Sequence, residues 1–346
     1  MQSKDRFNNF FPEALFLELQ HGDWIQLLYE NRWIKSSDKI VGLEKPGEGN
    51  MNFLVRVRTQ SGSIIVKQSR PWVEKYPQID APVERIFVEA AFYETLKQDR
   101  FFDQFVPALV GFDAKNLLLA MEDLGEGTDF TFLYKKGSSL SASERRSLIE
   151  FISHLHNSTF TTNSFPDNGA LKKLNHTHIF EYPYLRNKGF DLNTIQNGLQ
   201  ELSLKYKDNE QLKRTVKKLG NLYLGVGRTL VHGDYYPGSW LKTKTGVRII
   251  DPEFSHFGYA EFDIGVMIAH LMMARVDDGE IKQILNAYSI HDGFDVSLLT
   301  QYCGAEIMRR IIGLAQLPLD LTLHEKSIIL KRAERMLINP FENSFV

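Results

Sequence analysis

Three acidic residues fall within VHGDYYPGSWLKTKTGVRIIDPEF, residues 231–254. Asp234 closes a strand-like run, TLVHGD. Asp251 and Glu253 close a second one, VRIID-P-E. A Thr-Gly turn at Thr245–Gly246 lies between the two segments, so a hairpin can bring their acidic ends to one edge. A carboxylate beside a hydroxyl orients it and accepts its proton. Carboxylate pairs hold hard divalent cations through oxygen. Phosphoryl transfer needs both functions. Asp234 suits the first. Asp251 and Glu253 suit the second, with Pro252 stiffening the backbone between them. The plainer alternative is three acids on exposed strand ends.

Two further groups extend the pattern. In KPGEGNMNFLVRV (residues 45–57) Gly47, Gly49 and Asn50 form a turn before a strand. Backbone without side chains can approach phosphate and donate its amides. Lys67 stands late on the next strand-like run, IIVKQ, where it is either a phosphate ligand or a solvated edge charge. Far downstream, MRRIIGLAQL (residues 308–317) places Arg309 and Arg310 side by side on a helix. Neighbouring helical residues diverge by about 100°, so both reach one site only across a curved wall.

The elements that must position these groups follow from periodicity. Residues 13–30 read as one or two surface helices. Segments 39–69 read as strands separated by glycine turns, and 83–98 as a helix. Strands follow near 106–112 and 117–122. Beyond Asp123 the pattern becomes helical. Ser141 and Glu144 have capping-box spacing ahead of an apolar face at Leu148, Phe151, Ile152 and Leu155. Residues 170–228 are polar and helical in character. Short strands return over 229–254, and helices over 264–275, 280–289, 297–316 and 323–337. This order predicts an α+β protein with a boundary near 121–125.

Composition narrows the classes. The chain has 346 residues, 43% hydrophobic and 24% charged, with a formal net charge of −2. That length supports two cores. That charge suggests neither nucleic acid nor an anionic membrane as a partner. Cys303 is the single cysteine, which excludes an internal disulfide and reads as a small buried side chain. Met1–Phe11 carries Lys4, Asp5 and Arg6 without an apolar core and reads as no secretory signal. A cytoplasmic protein is expected.

HGDYYPGS, IIDPEF and GYAEFDIG together resemble the phosphotransferase family of aminoglycoside and choline kinases, most closely its methylthioribose kinase branch. The resemblance spans about residues 45–317. It implies a bilobal, protein-kinase-like fold, with a small mixed-sheet lobe over 1–122 and a larger, mainly helical lobe over 123–346. It implies ATP and Mg²⁺ as cofactors and a small-molecule hydroxyl as acceptor. Asp234 would be catalytic, with Asp251, Glu253 and Ser239 as metal ligands. Ser239 stands where protein kinases have asparagine. Gly47, Gly49, Asn50 and Lys67 would meet the nucleotide, and the backbone at Glu122 and Leu124 would meet adenine at the hinge. Lys67 pairs in the family with a glutamate on the following helix. Glu89 matches best, with Glu84 and Glu94 as competitors. Asp263 and His232 would brace the catalytic loop, although Asp263 also fits a helix N-cap.

The twin-arginine stretch resembles the branch's RRI-x-GLA motif, which places Arg309 and Arg310 against the acceptor. Tyr235 and Tyr236 replace other residues on the acceptor side of the loop, and Tyr235 is taken as a substrate contact. The implied acceptor is 5-methylthioribose, with an aminoglycoside, choline, homoserine or another sugar as alternatives. A homodimer is also implied by the resemblance alone. Readings from other classes are a protein kinase, against which the missing HRD and DFG signatures stand, and a nucleotide-binding protein without catalysis.

Overall fold

The computed structural model of the protein describes residues 3–20, 22–47, 51–161, 165–186, 190–289 and 293–342. They form two compact bodies. The first comprises Met1–Gly127, Phe165–Leu171 and Arg248–Phe254. The second comprises Thr128–Ser164, Lys172–Val247 and Ser255–Val346. The sequence had assigned 248–254 to the C-terminal part. Backbone pairing carries it into the first body instead: Ile249 N–H donates to the Phe105 carbonyl at 2.7 Å.

The first body opens with α1 (Ser3–Phe10) and α2 (Asp23–Glu30). Of the one or two helices expected over 13–30, one forms, α2; residues 11–20 are not helical. Side chains take amides there: Leu15 N–H donates to Asn116 Oδ1 at 2.7 Å and Leu17 N–H to Gln68 Oε1 at 2.9 Å. Strands β1 (Ile40–Glu44), β2 (Phe53–Thr59) and β3 (Ser63–Gln68) follow, then a ribbon of β4 (Trp72–Val73) and β5 (Tyr76–Asp80). Helix α3 (Arg85–Leu96), β6 (Leu109–Asp113) and β7 (Leu118–Glu122) complete it. The main sheet is antiparallel in the order β1-β2-β3-β7-β6, so β3 is central. Val55, Val57, Val66, Leu118 and Ala120 pack on one face with Trp24, Leu28 and Trp33. Side chains alternate along a strand. Val66 therefore fixes Lys67 on the opposite face, where its ammonium meets α3.

The second body is mainly helical. It contains β8 (Thr128–Asp129), α4 (Ala142–Asn157), α5 (Gly169–His176) from Lys172 onward, α6 (Leu199–Lys207) and α7 (Glu210–Leu224). The Ser141–Glu144 capping box expected from sequence closes the start of α4. Next come β9 (Thr229–Val231), β10 (Trp240–Thr243), β11 (Gly246–Ile249), whose last two residues already belong to the first body, and β12 (His256–Gly258). Strand β9 pairs antiparallel with β12. Helices α8 (Ala260–Met273), α9 (Asp278–Ala287), α10 (Val296–Ile312) and α11 (Leu323–Ile338) end the chain.

Every residue of α8 is buried, which makes it the axis of this body. It lies close against α10 because Gly265 has no side chain. A Cβ at Gly265 would stand 2.8 Å from Tyr302 Cβ and 3.0 Å from the Cys303 nitrogen. Gly265→Ala should therefore lower the unfolding free energy by about 1–3 kcal/mol, as overpacking does. Urea denaturation checks this, and an unchanged midpoint would mean α10 can shift freely.

Candidate active site

In the first body, Lys67 is 3% exposed. Its Nζ donates to Glu89 Oε1 at 2.6 Å and also to Asp251 Oδ1. Burial alone would discharge the ammonium. Asp251 and Glu89 outweigh that and hold the Lys67 pKa well above its ordinary value. Of the three candidate glutamates, Glu89 is thus the partner, while Glu94 pairs with Lys97 at 2.9 Å. Asp251 itself sits at φ 59°. A non-glycine residue seldom adopts this left-handed region, and such residues cluster at functional sites.

Two residues on, Glu253 is 5% exposed. Its Oε2 accepts from Asn52 Nδ2 at 2.9 Å and lies 3.4 Å from Arg85 Nε. Burial pushes its pKa up to about 8, with Arg85 opposing the rise. Gly47 leaves open space where a side chain would stand. Gly49 and Asn50 lie outside the described residues. Glu122 ends β7 and gives its amide to the Ala108 carbonyl at 2.8 Å. Leu124 follows in a turn fixed by Asp123, which accepts from Ser63 Oγ at 2.6 Å and Gly125 N–H at 3.0 Å.

In the second body, Asp263 is fully buried and organises the loop after β9. Its carboxylate accepts from His232 N–H at 2.6 Å, Gly233 N–H at 2.9 Å and His156 Nε2 at 3.2 Å. Gly233 turns the chain at φ 84°, a conformation glycine adopts without strain. Burial pushes the Asp263 pKa up, but the bond from His156 and the nearby charge win and hold it below the usual carboxylate value. Asp263 is not an N-cap: α8 begins at Ala260 after Tyr259.

Asp234 follows Gly233. Its Oδ1 lies 3.4 Å from Arg310 Nη2 and 4.0 Å from Arg309 Nη1. Burial raises its pKa, and the two arginines oppose the rise. Arg309 and Arg310 are 7% and 6% exposed. Both are gathered by Glu306, at 3.2 Å and 2.5 Å. Glu306 also accepts from His270 Nε2 at 3.0 Å, while the Tyr134 hydroxyl meets His270 Nδ1 at 2.6 Å.

Tyr235 requires correction. It is fully buried, donates to the Leu148 carbonyl at 2.7 Å and stacks on Phe151. Its side chain belongs to the core, not to a substrate wall. Tyr236 is the tyrosine at the site: Arg310 lies over its ring at 4.8 Å, and its ring centroid is 5.1 Å from that of His270. Ser239 is 2% exposed within a short turn, Pro237–Ser239.

Sequence reasoning missed Arg85, Asn52, Glu306, His156 and His270. Two carried a readable signal. Arg85 stands one helical turn before Glu89, and Glu306 stands three and four residues before the arginines, the spacings at which helical side chains meet.

Comparison with known proteins places this geometry. A model described as "Phosphotransferase enzyme family" matches residues 43–297. The chain belongs to that family. Its chemistry is phosphotransfer from ATP to a hydroxyl group of a small molecule. The phosphotransferase is 27% identical to the methylthioribose kinase of Exiguobacterium sibiricum over 326 residues, 80% of each chain. It is 24% identical to the methylthioribose kinase of Bacillus pumilus, over 87% of this chain and 86% of that one. A crystal structure of a spectinomycin phosphotransferase in complex with ADP and spectinomycin superposes with a TM-score of 0.53 at 13% identity, covering 94% of this chain and all of that one. At that identity the likeness establishes the fold. Among the described residues no helix is long and apolar enough to cross a membrane.

The His270 environment gives a stability prediction for this phosphotransferase. Burial depresses its pKa from 6.5 to about 4, with Glu306 opposing. The unfolded chain therefore binds the extra proton first. Stability is full above pH 6.5 and falls by about 3 kcal/mol as pH drops from 6.5 to 4. His270→Gln should lose this segment of the pH dependence in urea titrations. Equal slopes in both proteins would refute the assignment.

Proposed function

We propose that this phosphotransferase moves the γ-phosphate of ATP onto a hydroxyl of 5-methylthioribose. The observation that carries the reading is one carboxylate, Asp234, flanked by two buried guanidinium groups, Arg309 and Arg310. Such a setting disfavours a polycationic acceptor such as an aminoglycoside and suits a neutral sugar receiving an anionic group. The relatives named as methylthioribose kinases support the same acceptor. A cytoplasmic setting fits this reading.

Asp234 orients the acceptor hydroxyl and takes its proton as the new P–O bond forms. Its raised pKa makes it a better base than an ordinary aspartate. Arg309 and Arg310 face the negative charge that moves onto the acceptor. Lys67, held by Glu89, binds ATP phosphates. Magnesium, when bound, neutralises phosphate charge. Asp251 fits that ion, with a side chain 46% exposed. Magnesium commonly takes one or two carboxylates, together with phosphates and water. Among the described residues no larger cluster of His, Cys, Asp or Glu suited to a metal is present. Glu253 fits less directly, because its carboxylate already engages Asn52 and Arg85.

ADP release from Mg-ATP with 5-methylthioribose tests the proposal. Asp234→Asn should cut turnover by roughly 10²–10⁴-fold, the usual worth of a positioned base, while ATP binding persists. Near-full turnover in that variant would overturn the role of Asp234. Turnover only with another acceptor would overturn the choice of sugar. Nucleotide binding without turnover on any acceptor would leave a binding protein.

A further inference from the structure

Helix α3 carries Arg85, Glu89 and Tyr93 at intervals of four, so they share one face. Glu89 is absorbed by the Lys67 pair. Arg85 has no role in the reaction as described, yet it is fully buried and reaches four separate stretches of chain. Its Nε donates to Asn52 Oδ1 at 2.9 Å and lies 3.4 Å from Glu253 Oε2. Its Nη1 donates to the carbonyls of Arg70 at 3.0 Å and Pro82 at 2.6 Å. Its Nη2 donates to the Met51 carbonyl at 3.0 Å. Asn52 Nδ2 closes a ring by donating to the same Glu253 oxygen at 2.9 Å.

We propose that Arg85 is a positioning residue for nucleotide binding, which ties the entry of β2 at Met51–Asn52 to Glu253. Both ends of this tie border groups assigned to the nucleotide. Met51 and Asn52 follow Gly47–Asn50, the stretch assigned to the nucleotide by resemblance, and Glu253 stands two residues beyond Asp251. Glu253 then acts through the ring with Arg85 and Asn52. A planar guanidinium can serve these acceptors together, whereas a lysine keeps the charge and loses the fork. Buried donors of this kind are costly to leave unpaired, so the ring has one stable arrangement.

The inference rests on the ATP-dependent reading and is tested separately from it. Titration calorimetry with ADP on the full chain needs no turnover. Arg85→Lys should raise the ADP Kd and the KM for ATP by roughly 10- to 100-fold, the range found for residues one step behind a ligand. The acceptor KM should stay within about twofold. Glu253→Gln should act alike, and the double variant should raise the ADP Kd no further than the larger of the two single changes, because both cut one ring. If Arg85→Lys fails to fold, Asn52→Ala removes one leg of the ring and should raise the ADP Kd in the same direction. An unchanged ADP Kd in a folded variant, or a fall in kcat with both KM values unmoved, overturns the inference. An unaltered protein that binds no ADP overturns the ATP-dependent reading, and this inference with it.

Discussion

The Lys67 ammonium, removed from water, meets Glu89 and Asp251. An isolated buried charge is too costly to persist, so its partners are structural requirements. This pairing constrains the first body. It holds α3 against the face of β3 opposite Val66. It holds the chain at Asp251 in a left-handed turn that a free aspartate would seldom adopt. The next residue, Gln68, is fully buried and bonds to Leu15, Leu17 and Asn116. One short strand thus orders Lys67 and its two carboxylate partners on one side and the N-terminal segment on the other. Breaking such a pair is destabilising, although the pair itself adds little over an apolar replacement. Its value lies in placement.

The same constraint shapes the second body at Glu306. This carboxylate, 1% exposed, is held well below its usual pKa because Arg309 and Arg310 outweigh the burial that would raise it. Neighbouring arginines diverge by about 100° on a helix. Glu306 lies three and four residues before them, so one carboxylate gathers both guanidinium groups. The curved wall inferred from sequence is supplied by this acid and by the Tyr236 ring beneath Arg310.

Much of this was legible because the chemistry recurs at short range. HGD and DPEF lie on tight turns and FDIG in the first turns of α8, places whose residue types are dictated locally, and the strand-turn-strand pattern over 39–69 is a property of β-branched residues and glycine. The capping box at Ser141 was legible for the same reason. What stayed hidden depends on distant partners. Residues 13–20 continue an apolar helical pattern, yet Asn116 and Gln68 capture the amides of Leu15 and Leu17. Tyr235 and Tyr236 are indistinguishable by type; only the packing of Phe151 and Leu148 against the loop decides which is core. Arg85 looks like a surface charge at a helix start until Asn52 and Glu253 are seen beside it.

Two aspartates, Asp234 in the loop after β9 and Asp263 on α8, have their pKa values moved in opposite directions by their surroundings. Asp263 takes three donors, and its charge is locked in; a carboxylate so satisfied is a poor base. Asp234 has fewer fixed donors, and burial raises its pKa against the pull of two arginines. Paired acids whose surroundings push them apart mark a division of labour. Asp263 spends its oxygens on the His232 and Gly233 amides, which fixes the backbone that presents Asp234. At Asp234 the two arginines oppose the effect of burial. Glu306 in turn engages both arginines, at 3.2 Å and 2.5 Å, closer than either stands to Asp234. Burial and the two arginines thus act on Asp234 in opposite senses, while Asp263 fixes the backbone beside it.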